Sequence, residues 1–256
     1  MERFFVRPDQ IGATEARITG EELAHLTRVL RMRPGQRVEI FDGLGKGYSG
    51  EIKEIDEKRA IVAALTPVTE PRDSLLRTCL VQGIPKGEKM EWVAQKATEL
   101  GVGAILPLAL ERCVTRLEDE AKRSRRRERW EKVAREAARQ CGRLTAPQVL
   151  PIAVLSAFLA QVGREDLLLI PWEGGGESPR QLFRRMEKPP AGWVYLLIGP
   201  EGGLTKGEVE QGVAAAGLPL TLGPRILRTE TAGLALLAVL QYQWGDGGAA
   251  PSSHFV

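Results

Sequence analysis

The feature that most constrains this fold is a change in the pattern of apolar and polar residues near residue 70. Beyond it, apolar strand-like runs alternate with helical segments, a pattern typical of a mostly parallel sheet covered by helices. The expected strands are residues 75–82, 104–108, 167–171, 193–198 and 218–222. The expected helices are residues 88–100, 118–141, 178–186, 205–216 and 231–244. We therefore expect an α/β domain.

The first 70 residues have a different pattern, with short strands and one helix. Thr19 and Glu22 have the spacing of a capping box, and they predict a helix whose apolar face carries Leu23, Leu26, Val29 and Leu30. Three strand-like segments follow at residues 37–42, 48–55 and 59–66, which favours a small β-barrel. We expect domains at residues 1–70 and 74–246, then a tail at 247–256.

Composition excludes several classes of function. No apolar run approaches the roughly 18 residues of a membrane span, and the first residues lack the apolar core of a signal peptide. The three cysteines (Cys79, Cys113 and Cys141) form no Cys-x-x-Cys pair, so we expect reduced thiols, no metal and a cytoplasmic protein. His25 and His254 are the only histidines; His25 lies on a short predicted helix, far in sequence from the glycine-rich segments near the C-terminus, and His254 lies in the tail.

The string Gly45-Lys-Gly-Tyr-Ser-Gly50 matches the glycine spacing of a dinucleotide-binding turn. An alternating strand pattern follows it where a dinucleotide site requires a helix. We therefore interpret it as a hairpin turn.

Two later glycine segments are more informative, because each directly follows an expected strand. They are Ile198-Gly-Pro-Glu-Gly-Gly-Leu204 and Leu222-Gly-Pro-Arg-Ile-Leu-Arg-Thr-Glu-Thr-Ala232. Ligands bind at the carboxyl ends of strands in open α/β sheets, so the pair predicts one small-molecule site. The first loop contains Glu201 and no basic residue, which argues against a phosphate. A pair of tight turns without a ligand is the alternative.

An arginine-rich helix is expected between residues 116 and 143. Trp130, Val133, Ala134, Ala137, Ala138 and Cys141 recur at helical spacing and predict its buried stripe. The arginines lie mostly outside this stripe, which is typical of a surface that binds phosphates. A second basic cluster lies in the N-terminal domain and consists of Arg28, Arg31, Arg33 and Arg37. A solvated helix with internal ion pairs is the alternative.

Taken together, these strings resemble the SPOUT methyltransferases, and closely the RsmE family, which methylates N3 of a uracil in 16S ribosomal RNA. The resemblance extends in order over nearly the whole chain. Besides the two glycine segments, the matching strings are Leu26-Thr-Arg-Val-Leu-Arg31, Lys86-Gly-Glu-Lys-Met-Glu-Trp92, Gln95-Lys-Ala-Thr-Glu-Leu-Gly-Val102, and Glu136-Ala-Ala-Arg-Gln140 with Arg143. Residues 142–193 carry little of this signal.

The resemblance implies a PUA-like barrel that binds RNA, an α/β domain tied in a deep trefoil knot, and a homodimer. It also implies that S-adenosylmethionine lies against both glycine segments. The adenine and ribose of this cofactor are expected to be held by backbone groups. By position, the residues that supply them are Leu197, Gly199, Gly202, Leu222, Gly223, Ile226, Leu227 and Thr229. A sulfonium donor without phosphate agrees with the absence of basic residues in the first loop.

The implied reaction removes the N3 proton of uracil and spreads negative charge onto its two carbonyl oxygens. Arg228 and Arg225 are candidates for stabilising that charge, and Glu230 or Glu201 for accepting the proton. Either glutamate is equally compatible with a role in holding the loop backbone. The residues expected to contact the 16S RNA of the small ribosomal subunit are Arg28, Arg31, Arg33, Arg123, Arg126, Arg127 and Arg143.

Two alternative functions stay open at this stage. Another enzyme of the same superfamily would methylate a ribose 2′-oxygen or a different base in ribosomal or transfer RNA. A protein of a different class would be a non-catalytic RNA-binding assembly factor. The uninterrupted string Arg228-Thr-Glu-Thr231 weighs against the second alternative.

Overall fold

The computed structural model describes residues 1–113 and 119–248. The chain divides into two compact units. The first contains Met1–Asp73 together with Arg135–Ala146, and the second contains Ser74–Ala134 and the residues from Pro147 onward. Sequence reasoning did not assign Arg135–Ala146 to the first unit. The expected tail lies outside the described residues from residue 249 onward, and so does His254.

The first unit is built on a five-stranded sheet with the order β1-β3-β4-β5-β2. Its elements are β1 (Glu2–Phe5), β2 (Glu15–Ile18), α1 (Gly20–Ala24), β3 (Arg37–Phe41), β4 (Gly47–Ile55) and β5 (Ala60–Pro67). The last three strands confirm the expected ones, whereas β1 and β2 were not anticipated because each has only four residues. Strand β4 begins inside the 45–50 string and pairs antiparallel with β3, which confirms the hairpin interpretation.

The helix of the first unit differs from its prediction. Thr19 precedes α1, but its side chain makes no capping hydrogen bond and instead accepts one from Gln10 Nε2 at 2.8 Å. The expected capping box is therefore wrong. The helix continues as a π-helical turn over His25–Val29, and this wider turn leaves Val29 66% exposed and off the apolar face where it was expected.

The segment Arg135–Ala146 is held in the first unit by hydrogen bonds from a partly buried arginine. The guanidinium of Arg3 donates hydrogen bonds to the carbonyls of Ala138, Arg139 and Arg143 at 2.8–3.2 Å. The first two carbonyls lie in the last turn of the helix that ends at Cys141, where a helix leaves its carbonyls without partners. The same guanidinium pairs with Glu39, which is only 3% exposed.

Glu22 of α1 is a half-buried carboxyl group in this unit. Burial, together with the nearby carboxylate of Glu136, raises the pKa of Glu22 to about 7. Arg139, the backbone N–H of Phe5 and Arg135 act in the opposite direction without cancelling the rise. Glu22 therefore changes its charge close to neutral pH.

The second unit contains a parallel sheet with the order β12-β10-β11-β6-β7-β8, and β9 pairs with β7. Its strands are β6 (Thr78–Gly83), β7 (Ala104–Ala109), β8 (Gln148–Val149), β9 (Ala153–Val154), β10 (Leu167–Pro171), β11 (Val194–Ile198) and β12 (Leu218–Leu220). Its helices are α2 (Lys89–Glu99), α4 (Leu155–Leu159), α5 (Pro179–Arg185), α6 (Lys206–Ala214) and α7 (Thr229–Trp244), together with the part of α3 (Glu120–Cys141) that precedes Arg135. The α/β class and every expected element are confirmed. The short elements β8, β9 and α4 were not anticipated, and the trefoil knot stays a prediction.

Three neighbouring strands, β12, β10 and β11, bring the loops that follow them to one edge of this sheet. The spacing of Thr205 and Glu208 predicts a capping box, and helix α6 starts with it, since the two residues exchange hydrogen bonds. Helix α7 packs directly against the sheet. At Gly233 the two approach so closely that a Cβ would lie 2.8 Å from the side chain of Leu80. Within the described residues, no helix has the length and apolar character needed to cross a membrane.

Candidate active site

Two adjoining cavities lie at this edge of the parallel sheet. The first has a volume of about 460 Å³ and lies between the first glycine loop and the start of α7. The second, of about 300 Å³, lies against the second glycine loop. Both are lined by Pro171, Glu173, Ile226, Leu227 and Ala232. The two glycine segments therefore form one composite site.

The first glycine loop is folded tightly on itself at Gly199. A Cβ at this position would lie 2.6 Å from the backbone of Gly203 and Leu204, so no other residue fits without moving the loop. Thr229, the first residue of α7, donates a hydrogen bond from its hydroxyl to the Gly199 carbonyl at 2.6 Å. Gln82 Nε2 donates to the same hydroxyl at 2.8 Å. Strand β6, the loop and α7 are thus joined by buried hydrogen bonds.

A second contact holds the far side of the same loop. Arg112 donates a hydrogen bond from Nη1 to the carbonyl of Gly202 at 2.6 Å. Its side chain lies so close that a Cβ at Gly202 would be 3.1 Å from two of its carbons. The backbone of the loop is therefore fixed from both sides.

The second glycine loop is more open. Gly223 has a φ of +105°, a conformation that other residues rarely adopt, and no atom lies within 4 Å of a Cβ built there. Ile226 is 87% exposed although it lines both cavities. Arg225 and Arg228 are also exposed, and we find no ion pair for either within the described residues. This loop presents apolar and cationic side chains to whatever enters the site.

A lysine lies between two carboxylates in the first cavity. Lys89 Nζ is 3.0 Å from Glu201 Oε1 and 3.4 Å from Glu230 Oε2. Glu201 also accepts hydrogen bonds from the backbone N–H of Lys86 at 3.1 and 3.3 Å. Oε2 of Glu230 is buried and forms an ion pair with Lys89, but it has no aligned hydrogen-bond donor among the described residues. The two candidate bases therefore differ in how fully they are engaged.

The pKa values of Glu201 and Lys89 are shifted in opposite directions by their surroundings. Burial acts to raise the pKa of Glu201, but hydrogen bonds from its own backbone N–H, from Lys89 and from Lys86 outweigh burial and lower it. The hydrogen bond to Glu201 is the main cause that raises the pKa of Lys89. Glu201 is thus held as a carboxylate and Lys89 as an ammonium, and Glu201 is a weak proton acceptor.

The shape and charge of this site fit S-adenosylmethionine. The two cavities have the size of small-ligand pockets, and the glycine loops allow a ligand to approach the backbone. The first cavity contains three carboxylates, Glu173, Glu201 and Glu230, against the cations Lys89 and Arg228. An excess of carboxylates disfavours a phosphate and suits a cationic ligand.

The expected cofactor residues mostly line the two cavities. Those found there are Gly199, Gly202, Leu222, Gly223, Ile226, Leu227 and Thr229. Leu197 is the exception, since its side chain is fully buried in a core cluster and Ile198 lines the cavity instead. The expected contact between the backbone of Leu197 and the cofactor stays a prediction. Among the catalytic candidates, Arg228, Glu201 and Glu230 line the first cavity, whereas Arg225 lines the second.

The candidate RNA contacts of the first unit are exposed. Arg28, Arg31 and Arg33 lie on or just after the π-helical turn, and Arg31 has a φ of +52°. Positive φ is uncommon for arginine, and π-turns and such strained residues occur often at functional sites. A role in RNA binding stays a prediction for these three residues.

The candidate RNA contacts on α3 are partly engaged with acidic neighbours. Arg127 Nε donates to Glu131 at 2.8 Å, and Arg123 lies 3.8 Å from Glu120. The side chains of Arg123, Arg126 and Arg127 are half-buried. Surface ion pairs of this kind contribute about 1 kcal/mol or less, so a phosphate can replace the carboxylate. Both the solvated and the RNA-binding interpretations of α3 are compatible with these contacts.

Arg143 requires a correction. It is only 6% exposed, and its Nε donates a hydrogen bond to Asp73 at 2.9 Å. The other carboxylate oxygen of Asp73 accepts hydrogen bonds from the backbone N–H groups of Leu144 and Thr145. A guanidinium buried in this pair is not presented to RNA, so Arg143 stabilises the first unit instead.

Sequence reasoning missed three residues of the site: Lys89, Arg112 and Glu173. Lys89 lies within a matching string, and its position at the start of α2 was the available signal. Glu173 and Arg112 carried no such signal, because only the fold brings them to the glycine loops.

Among the described residues there is no cluster of potential metal ligands. All three cysteines are free, and burial raises the pKa of the Cys79 thiol to about 12.

Comparison with known protein families gives two matches. Residues 72–241 match the family described as RNA methyltransferase domain. Residues 18–65 match the family described as RNA methyltransferase PUA domain.

Individual relatives and solved structures agree over almost the full chain. The chain is 34% identical to ribosomal RNA small subunit methyltransferase E of Bacillus subtilis (strain 168), over 95% of this chain and 97% of that protein. The structure of a ribosomal RNA small subunit methyltransferase E from Neisseria gonorrhoeae bound to S-adenosyl methionine has a TM-score of 0.86 and 36% identity, over 96% of this chain and 99% of that one. A methyltransferase from Legionella pneumophila, in complex with the bound cofactor SAM, has a TM-score of 0.85 and 34% identity, over 95% and 98% of the two chains.

Proposed function

The chain belongs to the ribosomal RNA small subunit methyltransferase E family, and on that premise we propose that it methylates N3 of a uridine in 16S ribosomal RNA with S-adenosylmethionine as donor. The observation that carries this proposal is the pair of cavities at the sheet edge, with a tight glycine loop on one side and, in the first cavity, three carboxylates against two cations. A cationic donor without phosphate satisfies these features.

The donor would be held by the residues of the two glycine loops. These are Gly199, Gly202, Leu222, Gly223, Ile226, Leu227 and the backbone of Thr229. When bound, S-adenosylmethionine supplies an electrophilic methyl group on a positively charged sulfur. The hydroxyl of Thr229 fixes the Gly199 carbonyl, so its side chain orients the loop and does not itself contact the donor.

Glu230 is the better of the two candidates for accepting the N3 proton. Its side chain is only 17% exposed, and Oε2 has no aligned hydrogen-bond donor among the described residues. Glu201 has its oxygens occupied by Lys89 and by the Lys86 backbone, and its lowered pKa weakens it as a base. We therefore assign proton removal to Glu230, and the holding of the first loop to Glu201.

Arg228 is the better candidate for stabilising negative charge on the uracil carbonyl oxygens. It lines the same cavity as Glu230, whereas Arg225 lines the second cavity. Neither guanidinium is engaged in an ion pair among the described residues, so each is available to a substrate. A fixed positive charge near a developing oxyanion lowers the barrier without any proton transfer.

The substrate RNA would be bound through the exposed arginines of the first unit (Arg28, Arg31 and Arg33) and those of α3 (Arg123, Arg126 and Arg127). Affinity that depends on such contacts falls steeply as salt concentration rises.

We also propose that the protein is a cytoplasmic homodimer. The exposed apolar side chains of Val239 and Tyr242, one turn apart on α7, support a second copy there, and sedimentation equilibrium tests it.

The decisive experiment is methyl transfer to purified small ribosomal subunits that lack the modification. Labelled S-adenosylmethionine is supplied, and the product nucleoside is identified by mass spectrometry. We expect 3-methyluridine. A ribose-methylated nucleoside would refute the N3 assignment, and calorimetry showing no donor binding would favour the non-catalytic assembly factor.

A further inference from the structure

Glu173 is a carboxylate in the candidate active site to which the sequence did not point. It follows β10 by two residues, and it is the only charged residue that lines both cavities among the described residues. We find no hydrogen bond or ion pair of its carboxylate within the described part of the chain. Its negative charge therefore faces the site without a basic partner.

The carboxylate lies directly against the first glycine loop. A Cβ at Gly203 would be 3.1 Å from Oε1 and 3.3 Å from Oε2 of Glu173. Gly203 itself has a φ of +70°, and its N–H donates to the carbonyl of Pro200. The absence of a side chain at this glycine leaves room for the carboxylate beside the loop.

The other two carboxylates of the first cavity are in a different situation. Glu201 and Glu230 both lie within 3.4 Å of Lys89 Nζ, which neutralises part of their charge. Glu173 has no such basic neighbour among the described residues. A cation that enters the site therefore meets a carboxylate there that no protein cation compensates.

The donor consists of a nucleoside and an amino-acid arm, joined at the positively charged sulfur. A residue that lines both of two adjoining cavities is in position to meet the part that joins the two halves. We propose that Glu173 is a binding residue for S-adenosylmethionine that interacts with its sulfonium charge. It thereby makes the site favour the donor over S-adenosylhomocysteine, whose sulfur is uncharged. This inference rests on the proposed function.

Glu173→Gln tests this proposal by isothermal titration calorimetry, because it removes the charge and keeps the shape. We expect the Kd for S-adenosylmethionine to rise about tenfold, which corresponds to about 1.4 kcal/mol. The Kd for S-adenosylhomocysteine should rise less than about threefold. Glu173→Asp, which keeps the charge, should retain most of the preference for the donor. Glu165→Gln, an exposed substitution outside both cavities, serves as the matched control.

Two outcomes overturn the inference. Equal weakening of both ligands would mean that Glu173 contacts a group they share, such as the ribose hydroxyls or the ammonium. Unchanged affinities would mean that it contacts neither ligand. In both cases the wild-type protein still binds the donor, so the proposed function survives. Failure of the wild-type protein to bind S-adenosylmethionine would instead refute the proposed function itself.

Discussion

Thr229→Val is the substitution that best tests how the first glycine loop is held. Valine has nearly the shape of threonine, so the change removes the hydroxyl while the packing at the start of α7 remains. The hydroxyl donates to the Gly199 carbonyl at 2.6 Å and accepts from Gln82 Nε2 at 2.8 Å. Gln82 is fully buried and Thr229 is 7% exposed, so water does not readily replace either bond.

The expected magnitude follows from counting the groups left without partners. The Gly199 carbonyl loses the hydroxyl donor, whereas Gln82 Nε2 keeps its second bond, to the Gly83 carbonyl at 3.0 Å. A buried polar group without a partner costs about 1–3 kcal/mol. We therefore expect the free energy of unfolding to fall by about 2 kcal/mol, which corresponds to roughly 4–8 °C in Tm for a domain of this size.

Urea unfolding followed by circular dichroism measures the stability, and calorimetry with S-adenosylmethionine measures the effect on the loop. We expect the Kd for the donor to rise along with the loss of stability, and Thr229→Ser to restore both. Thr231→Val, at an exposed position on the same helix, is the control for the loss of a hydroxyl. A Thr229→Val protein as stable as the wild type, with unchanged donor affinity, would refute the reasoning. An equal loss in Thr231→Val would assign the effect to the helix alone.

Four further predictions concern charged groups. Glu230→Gln should lower kcat by about 100-fold or more with little change in donor Kd, whereas Glu201→Gln should lower kcat much less; single-turnover methylation and calorimetry distinguish the two. Arg143→Ala should lower the free energy of unfolding by about 3 kcal/mol, because it leaves a carboxylate without its buried partner. Arg28→Ala should leave stability unchanged and weaken RNA binding in filter assays; the reverse pattern would contradict both assignments. Glu22 has a folded pKa of about 7 against an ordinary 4.5, so the native state holds this proton more tightly and stability falls as pH rises through that window. Glu22→Gln should therefore raise Tm at pH 8 and change it little at pH 4, and an equal effect at both values would contradict this.

The sequence predicted the α/β sheet and the position of the site because the relevant signals are local. Strand β11 and the glycines after it are adjacent in sequence, and Thr205 and Glu208 form the capping box expected from their spacing. Contacts between distant segments could not be predicted in this way. Lys89 lies between two glutamates that are more than a hundred positions away in the sequence. Arg143 is buried in an ion pair with Asp73, which is 70 positions earlier.

The helix of the first unit shows a second reason for failure. Thr19 and Glu22 have the correct spacing for a capping box, but Gln10 competes for the threonine hydroxyl. The following turn widens to a π-helix, which moves Val29 off the apolar face. Local patterns specify what a segment favours alone, and tertiary partners decide between nearly equal alternatives.

The order of the strands in the parallel sheet governs how this chain reaches its native state. Strand β6 lies in the sheet between β11 and β7, and Leu80 pairs with Leu196. Pairing across such a distance requires closing a long loop before the contact stabilises anything, which makes folding slow. During synthesis, one edge of β6 has no partner until β11 has left the ribosome. An apolar strand with an open edge is prone to aggregation, so the interval between making residues 83 and 198 is when the nascent chain is most vulnerable.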